Sequence, residues 1–124
     1  MTTQEKLELI VKILDSKKAE DIQVIGITNL TIIADYFIIA TGTSTTQVKS
    51  LADEVEFRLG EQGVEPRGIE GIRSANWIVL DYDDIVVHVF YGDTRGEYQL
   101  EKLWADGEKV DISHLLIDEG NAFA

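Results

Sequence analysis

The sequence predicts an α/β fold: a single domain with one mixed, five-stranded sheet flanked by helices, in the order α-β-β-α-β-β-β-α. Three observations predict it. Stripes of apolar residues at helical spacing alternate with short β-branched runs. Each helical stripe opens on a Ser or Thr followed three residues later by Glu or Gln. The 124 residues, 44% of them apolar, suit one core without covalent staples.

Taken in order, Leu7, Ile10, Val11 and Leu14 form an amphipathic stripe behind a Thr2–Glu5 capping box, which predicts a helix over about residues 3–17. Asp21 to Ile27 alternates in part and reads as a half-exposed strand, whereas Asp35 to Ala40 is almost wholly apolar and reads as a central one. Ser44 with Gln47 forms a second capping box before Val48, Leu51, Ala52, Val55 and Leu59, predicting a helix that ends between Gly60 and Gly63. Pro66, the only proline, lacks a ladder donor, so the Arg67–Gly71 segment after it suits a short edge strand. Trp77–Asp81 and Ile85–Phe90 are strands joined as a hairpin through Tyr82, Asp83 and Asp84. Thr94 with Glu97 then precedes Tyr98, Leu100, Leu103 and Trp104, predicting a last helix that stops at Gly107. The tail, residues 107–124, is expected to be partly disordered, with Ile112, Leu115 and Leu116 docking as one short turn.

Charge narrows the function classes. With 23 acidic against 11 basic residues the formal charge is −12, a field that repels phosphate backbones and attracts a basic protein surface. Direct nucleic-acid sequence recognition is therefore not expected. The absence of cysteine removes disulfides, thiolate catalysis and cysteine zinc sites. Glu5, Lys6 and Glu8 interrupt the first apolar segment, and no apolar run reaches membrane-spanning length, so the chain reads as a soluble cytosolic protein.

Three places invite a catalytic reading, and each has a plainer one. Asp81, Asp83 and Asp84 at a strand end suit a divalent metal for nucleotidyl transfer, but acidic residues between apolar strands usually make a solvated turn. Thr41-Gly42-Thr43-Ser44 at a helix N-terminus suits an anion, yet it has one glycine, no Gly-Lys-Ser/Thr ending, and a Ser44 already used as N-cap. His88 in mid-strand and His114 in the tail share no spacing that makes a metal or triad pattern. Binding signals are stronger. Trp77 follows a flexible-looking link, residues 71–76, and has Glu70 before it and Asp81 on its own strand face, an aromatic anchor with a carboxylate rim. The alternative is that Trp77 only caps the edge of the core.

These segments together resemble the ribosomal silencing factor family, also called the Iojap-like or RsfS family. The matching pieces are Asp21-Ile22, the run from Asp35 to Ser44, Gly68-Ile69-Glu70-Gly71, the run from Ala75 to Asp81, and the run from Asp84 to Phe90. Arg95, Tyr98 and the run from Leu100 to Trp104 match as well. The likeness runs from about residue 5 to 106, which makes residues 1–106 the expected Iojap-like domain. It implies a nucleotidyltransferase-like fold without the working site of those enzymes. It also implies docking on the large ribosomal subunit through its basic protein fourteen, so that the small subunit is sterically blocked and translation falls. No cofactor and no catalytic step are implied; homodimerisation when free is. Carried onto this chain, the contact face consists of Trp77, Asp81, Glu70, Tyr82 and Asp83, with His88, Arg95 and Tyr98 serving either the interface or the fold. The competing expectation is a metal-dependent nucleotidyltransferase using Asp81 and Asp83.

Overall fold

The computed structural model describes residues 1–30, 32–92 and 105–116. Helix α1 spans Thr3–Ser16 and opens with the expected box: the Thr2 hydroxyl accepts from the Glu5 amide, and the Glu5 carboxylate accepts from the Thr2 amide at 2.8 Å. Two of the four orphan N–H groups of the first turn are satisfied this way. Helix α2 spans Thr45–Glu61, with Ser44 accepting from the Gln47 amide at 3.0 Å. Only that half of the second box forms. Gln47 reaches past Ser44 to the Thr43 amide and hydroxyl at 2.6 and 2.8 Å, because its amide end also donates to the carbonyls of Lys17 and Lys18 just after α1.

The strands are β1 (Glu20–Gly26), β2 (Tyr36–Gly42), β3 (Gly68–Glu70), β4 (Trp77–Asp81), β5 (Ile85–Tyr91) and β6 (Glu108–Val110). They form one sheet in the order β3-β4-β5-β2-β1-β6. The sheet is mixed, as predicted: β2 and β5 run parallel at its centre and every other pair is antiparallel. The parallel pair is buried on both faces, which explains why both segments read as nearly continuous apolar runs. Pro66 precedes the edge strand β3, where its missing donor removes no ladder bond.

The sheet has six strands rather than the five expected. The sixth, Glu-Lys-Val, has no apolar alternation of its own and exists because the edge of β1 is open to it, Val24 facing Val110 and Gly26 facing Glu108. Beyond it Ile112 and Leu115 are buried around a 3₁₀ turn at Ser113–Leu115, while Leu116 stays at the surface. The predicted last helix, with Thr94, Glu97, Tyr98, Leu100, Leu103 and Trp104, lies outside the described residues, as does Arg95.

Both described helices pack on one face of the sheet. The main core joins Leu7, Ile10 and Leu14 of α1 and Val48, Leu51 and Val55 of α2 to Ile38, Ile78, Leu80, Val87 and Val89. A second, smaller apolar cluster sits on the opposite face: Ile25, Ile27, Ala34, Ile39, Val86 and Phe90, with Phe37, Trp77 and Val79 packed against it. Trp77 thus belongs to the face opposite α1 and α2.

Candidate functional site

Alternation along β4 sends Ile78 and Leu80 to the helix side and Trp77, Val79 and Asp81 to the other. The register adds Glu70 of β3 opposite Val79, and Val86, His88 and Phe90 of β5 opposite Asp81, Val79 and Trp77. One strip of the second face therefore carries a half-exposed tryptophan, two carboxylates and an imidazole.

Trp77 is held rigidly. Its ring stacks on Phe90 at a centroid distance of 5.0 Å, and its indole N–H donates to His88 Nδ1 at 3.1 Å. The first contact contributes about 1 kcal/mol beyond area burial. The second uses the diagonal cross-strand position, one pair away from the direct Val79–His88 pairing. Because Nδ1 accepts, the proton of the neutral ring sits on Nε2, which is buried without a hydrogen-bond partner. His88 is 6% exposed, and burial pushes its pKa down to about 4, so the imidazole is neutral near pH 7. Its role is to fix the tryptophan, a role that depends on strand register and was not legible from residue spacing.

The link before Trp77, expected to be flexible, is a closed turn. The Ala75 amide donates to Gly71 O and the Tyr91 amide to Asn76 O. Gly71 has a φ of 87°, and a Cβ there would overlap the Trp77 carbonyl oxygen, so glycine alone lets the turn bring Trp77 into the sheet.

The carboxylates are spread rather than gathered. Four residues of strand put Asp81 about 13 Å from Trp77, at the far end of the strip. Asp81 accepts from the Asp83 amide at 2.9 Å, shaping the hairpin in which Asp83 takes a φ of 71°. Asp83 pairs with Arg67 at 2.9 Å on the open surface, and this pairing holds the Arg67 pKa above its ordinary value. Asp84 turns the other way, accepting from Thr3 Oγ1 at 2.6 Å and Lys6 Nζ at 2.8 Å. Burial works to raise its pKa, but Lys6 and Thr3 outweigh that and leave it below the usual range. With three different partners, Asp81, Asp83 and Asp84 do not converge. Among the described residues, no group of three or more His, Asp or Glu is placed to hold a metal ion.

Tyr82 is not brought to the strip. It is 4% exposed and belongs to the helix-side core, its hydroxyl lying towards Glu56 and Glu65, and burial followed by those two charges raises its pKa. The same alternation that sends Ile78 and Leu80 inward sends Tyr82 with them, a signal already present in the sequence. Tyr82 therefore supports the hairpin from below, and of the expected contact residues Trp77, Glu70, Asp81 and Asp83 reach the surface, spread along this edge of the sheet. The Thr41–Ser44 segment is likewise engaged internally. Gln47 occupies the Thr43 amide, and a Cβ on Gly42 would come within 2.8 Å of Val48 Cγ2, so glycine is needed for the close approach of α2.

Comparisons with known proteins agree with this fold. A family model described as "Ribosomal silencing factor during starvation" matches residues 1–123. A relative from Halalkalibacterium halodurans, named ribosomal silencing factor RsfS, is 40% identical over 116 residues, covering 94% of this chain and 99% of the relative. The protein of the same name from Bacillus subtilis is 38% identical over 112 residues, covering 90% and 95%. A crystal structure of a Chromobacterium violaceum protein superposes over the full length of both chains with a TM-score of 0.83 at 35% identity. Shared fold, near-complete coverage of both chains and this level of identity lead to one conclusion: the chain belongs to the ribosomal silencing factor family.

Proposed function

We propose that this chain binds the large ribosomal subunit through its basic protein fourteen and, by occupying that surface, keeps the small subunit from joining and so represses translation. The observation that carries the reading is the Trp77 strip. A half-exposed aromatic ring, locked by Phe90 and His88, lies on a face that also bears Glu70 and Asp81, in a chain of formal charge −12. A pre-organised aromatic anchor loses little entropy on docking, and a carboxylate rim selects a lysine- and arginine-rich partner. A mouse relative, 31% identical over 101 residues and matched over 44% of its length, carries the name mitochondrial assembly of ribosomal large subunit protein 1. That name supports the choice of subunit.

In this reading the activity is steric, uses no cofactor and takes place in the cytoplasm, and Trp77, Asp81, Glu70 and Asp83 make the contact with Tyr82 buttressing the hairpin. The free chain pairs as a homodimer, and the mixed sheet with helices on one face supports a nucleotidyltransferase-like description of the fold. Sedimentation of isolated subunits mixed with the purified protein tests this. The expected result is fewer joined particles as protein is added, without nucleotide, and weaker large-subunit binding for Trp77→Ala by roughly 30-fold, the size of a hot-spot truncation. Slowing of subunit joining only when a nucleotide is supplied, lost in Asp81→Asn with Asp83→Asn, would instead support the metal-dependent enzyme.

A further inference from the structure

The two ends of the Trp77 strip differ in charge. The hairpin end carries Asp81 and Asp83, and Glu70 stands midway, opposite Val79. The other end, about 13 Å of strand away, runs into the turn of residues 71–76, Gly-Ile-Arg-Ser-Ala-Asn. This turn has no acidic residue and one arginine, in a chain of 23 acidic and 11 basic residues. Arg73 thus has the opposite sign to the rest of the strip.

The turn fixes where Arg73 stands. Gly71, at a φ of 87°, lies against the Trp77 carbonyl, and the Ala75 amide donates to Gly71 O at 3.0 Å. Ala75 is buried in the helix-side core and takes a φ of 57°. A left-handed backbone at a residue other than glycine costs free energy and persists only where surrounding contacts enforce it. With both ends tied and Ala75 buried, Ile72, Arg73 and Ser74 are left at the surface, all three exposed. Arg73 is also without an ion pair. Among the described residues Arg67 pairs with Asp83 and Lys6 with Asp84, while Glu70, three positions before Arg73, does not reach it.

A basic protein surface gives Arg73 nothing to bind, and like charges brought together oppose docking. The guanidinium therefore marks where that surface stops. Basic proteins of a ribosomal subunit are seated in ribosomal RNA, so phosphate borders them. A guanidinium matches phosphate with two parallel N–H donors, and Ser74 and Asn76, exposed on the same turn, carry further donors.

We infer that Arg73 contacts a phosphate of the ribosomal RNA bordering the basic protein, so that the docking face is recognised in two parts: Asp81 and Asp83 by the protein, Arg73 by the RNA. The inference rests on the proposed function. It agrees with the formal charge of −12, which repels phosphate in general and leaves the contact to a projecting cation at the end remote from Asp81 and Asp83. The consequence is orientation. A single aromatic anchor permits rotation about itself, whereas opposite signs at its two ends select one seating, and seating decides whether a bound protein obstructs the joining face.

The test titrates the full chain against isolated large subunits and, separately, against the purified basic protein fourteen. Arg73→Ala is expected to weaken subunit binding about tenfold, with the thermal midpoint and binding to the isolated protein unchanged. The fall of log affinity with log salt on subunits should become shallower by about 0.9, the share of one phosphate. Arg73→Lys should restore that salt dependence, because charge sets it, but not the full affinity, because the paired donors are missing. Equal loss on both targets overturns the inference, assigning Arg73 to a carboxylate of the protein. Unchanged subunit binding, with Trp77→Ala weakened on both targets, also overturns it and leaves the proposed function standing. If the unaltered chain binds neither target, the proposed function falls and this inference with it.

Discussion

Acidification from pH 7 to pH 5 is expected to destabilise the fold through His88. In the folded chain burial holds its pKa near 4, against an ordinary value of 6.5. Above pH 6.5 both folded and unfolded forms are neutral and the group contributes nothing. Between 6.5 and 4 the unfolded chain binds a proton that the folded chain refuses, so stability falls as pH falls, and below 4 the full loss has accumulated. Integrated with these two values, the loss is about 2 kcal/mol by pH 5 and about 3 kcal/mol in all. Denaturant unfolding of the original chain and of His88→Phe at pH 7 and pH 5 isolates the effect. The phenylalanine keeps the packing against Phe37 and Phe90 but does not titrate, and carboxylate and His114 effects cancel in the difference. The gap between the two stabilities should narrow or reverse by about 2 kcal/mol on acidification. Parallel loss in both proteins would refute the claim that a buried, neutral imidazole holds Trp77.

Gly71→Ala is expected to cost about 2 to 4 kcal/mol, because the new Cβ meets the Trp77 carbonyl oxygen at a φ of 87°, and thermal or denaturant melts will read it. Asp84→Ala removes a carboxylate shared by Lys6 and Thr3 and should cost about 2 kcal/mol in the same assay. Arg67→Ala breaks a pair at 2.9 Å, but both side chains are open to water, so no measurable change in stability is expected.

The parts of this molecule that local chemistry governs were legible in the chain itself. Thr2 and Glu5 are three residues apart and satisfy each other's amides whatever surrounds them, so the start of α1 could be placed from sequence. The apolar runs at β2 and β5 announce strands buried on both faces, and Pro66 announces an edge. Membership of the family was legible for a similar reason, since the resemblance rests on short segments following one another along one chain. The plainer reading of Asp81, Asp83 and Asp84 as a turn was written in adjacency as well, but which way each carboxylate faces was not: a φ of 71° at Asp83 turns neighbouring carboxylates towards Arg67 on one side and Lys6 on the other.

Partners far apart in sequence had to be brought together before the rest was decided. Glu108–Val110 becomes a strand only because β1 presents an unpaired edge some eighty residues earlier, and nothing within Glu-Lys-Val specifies it. Whether Trp77 capped the core or stood at the surface had no answer in its own neighbourhood. The register of β4 on β5 supplies one by placing Phe90 beneath the ring and His88 beside its N–H, which leaves the tryptophan half-buried and fixed. Caps, turns and alternation cost or gain free energy among residues within one turn or one strand, and a linear reading can weigh them. Register, sheet order and the sharing of one face by Glu70, Trp77 and Asp81 are set by packing between distant segments, whose energies exist only once the chain has closed on itself.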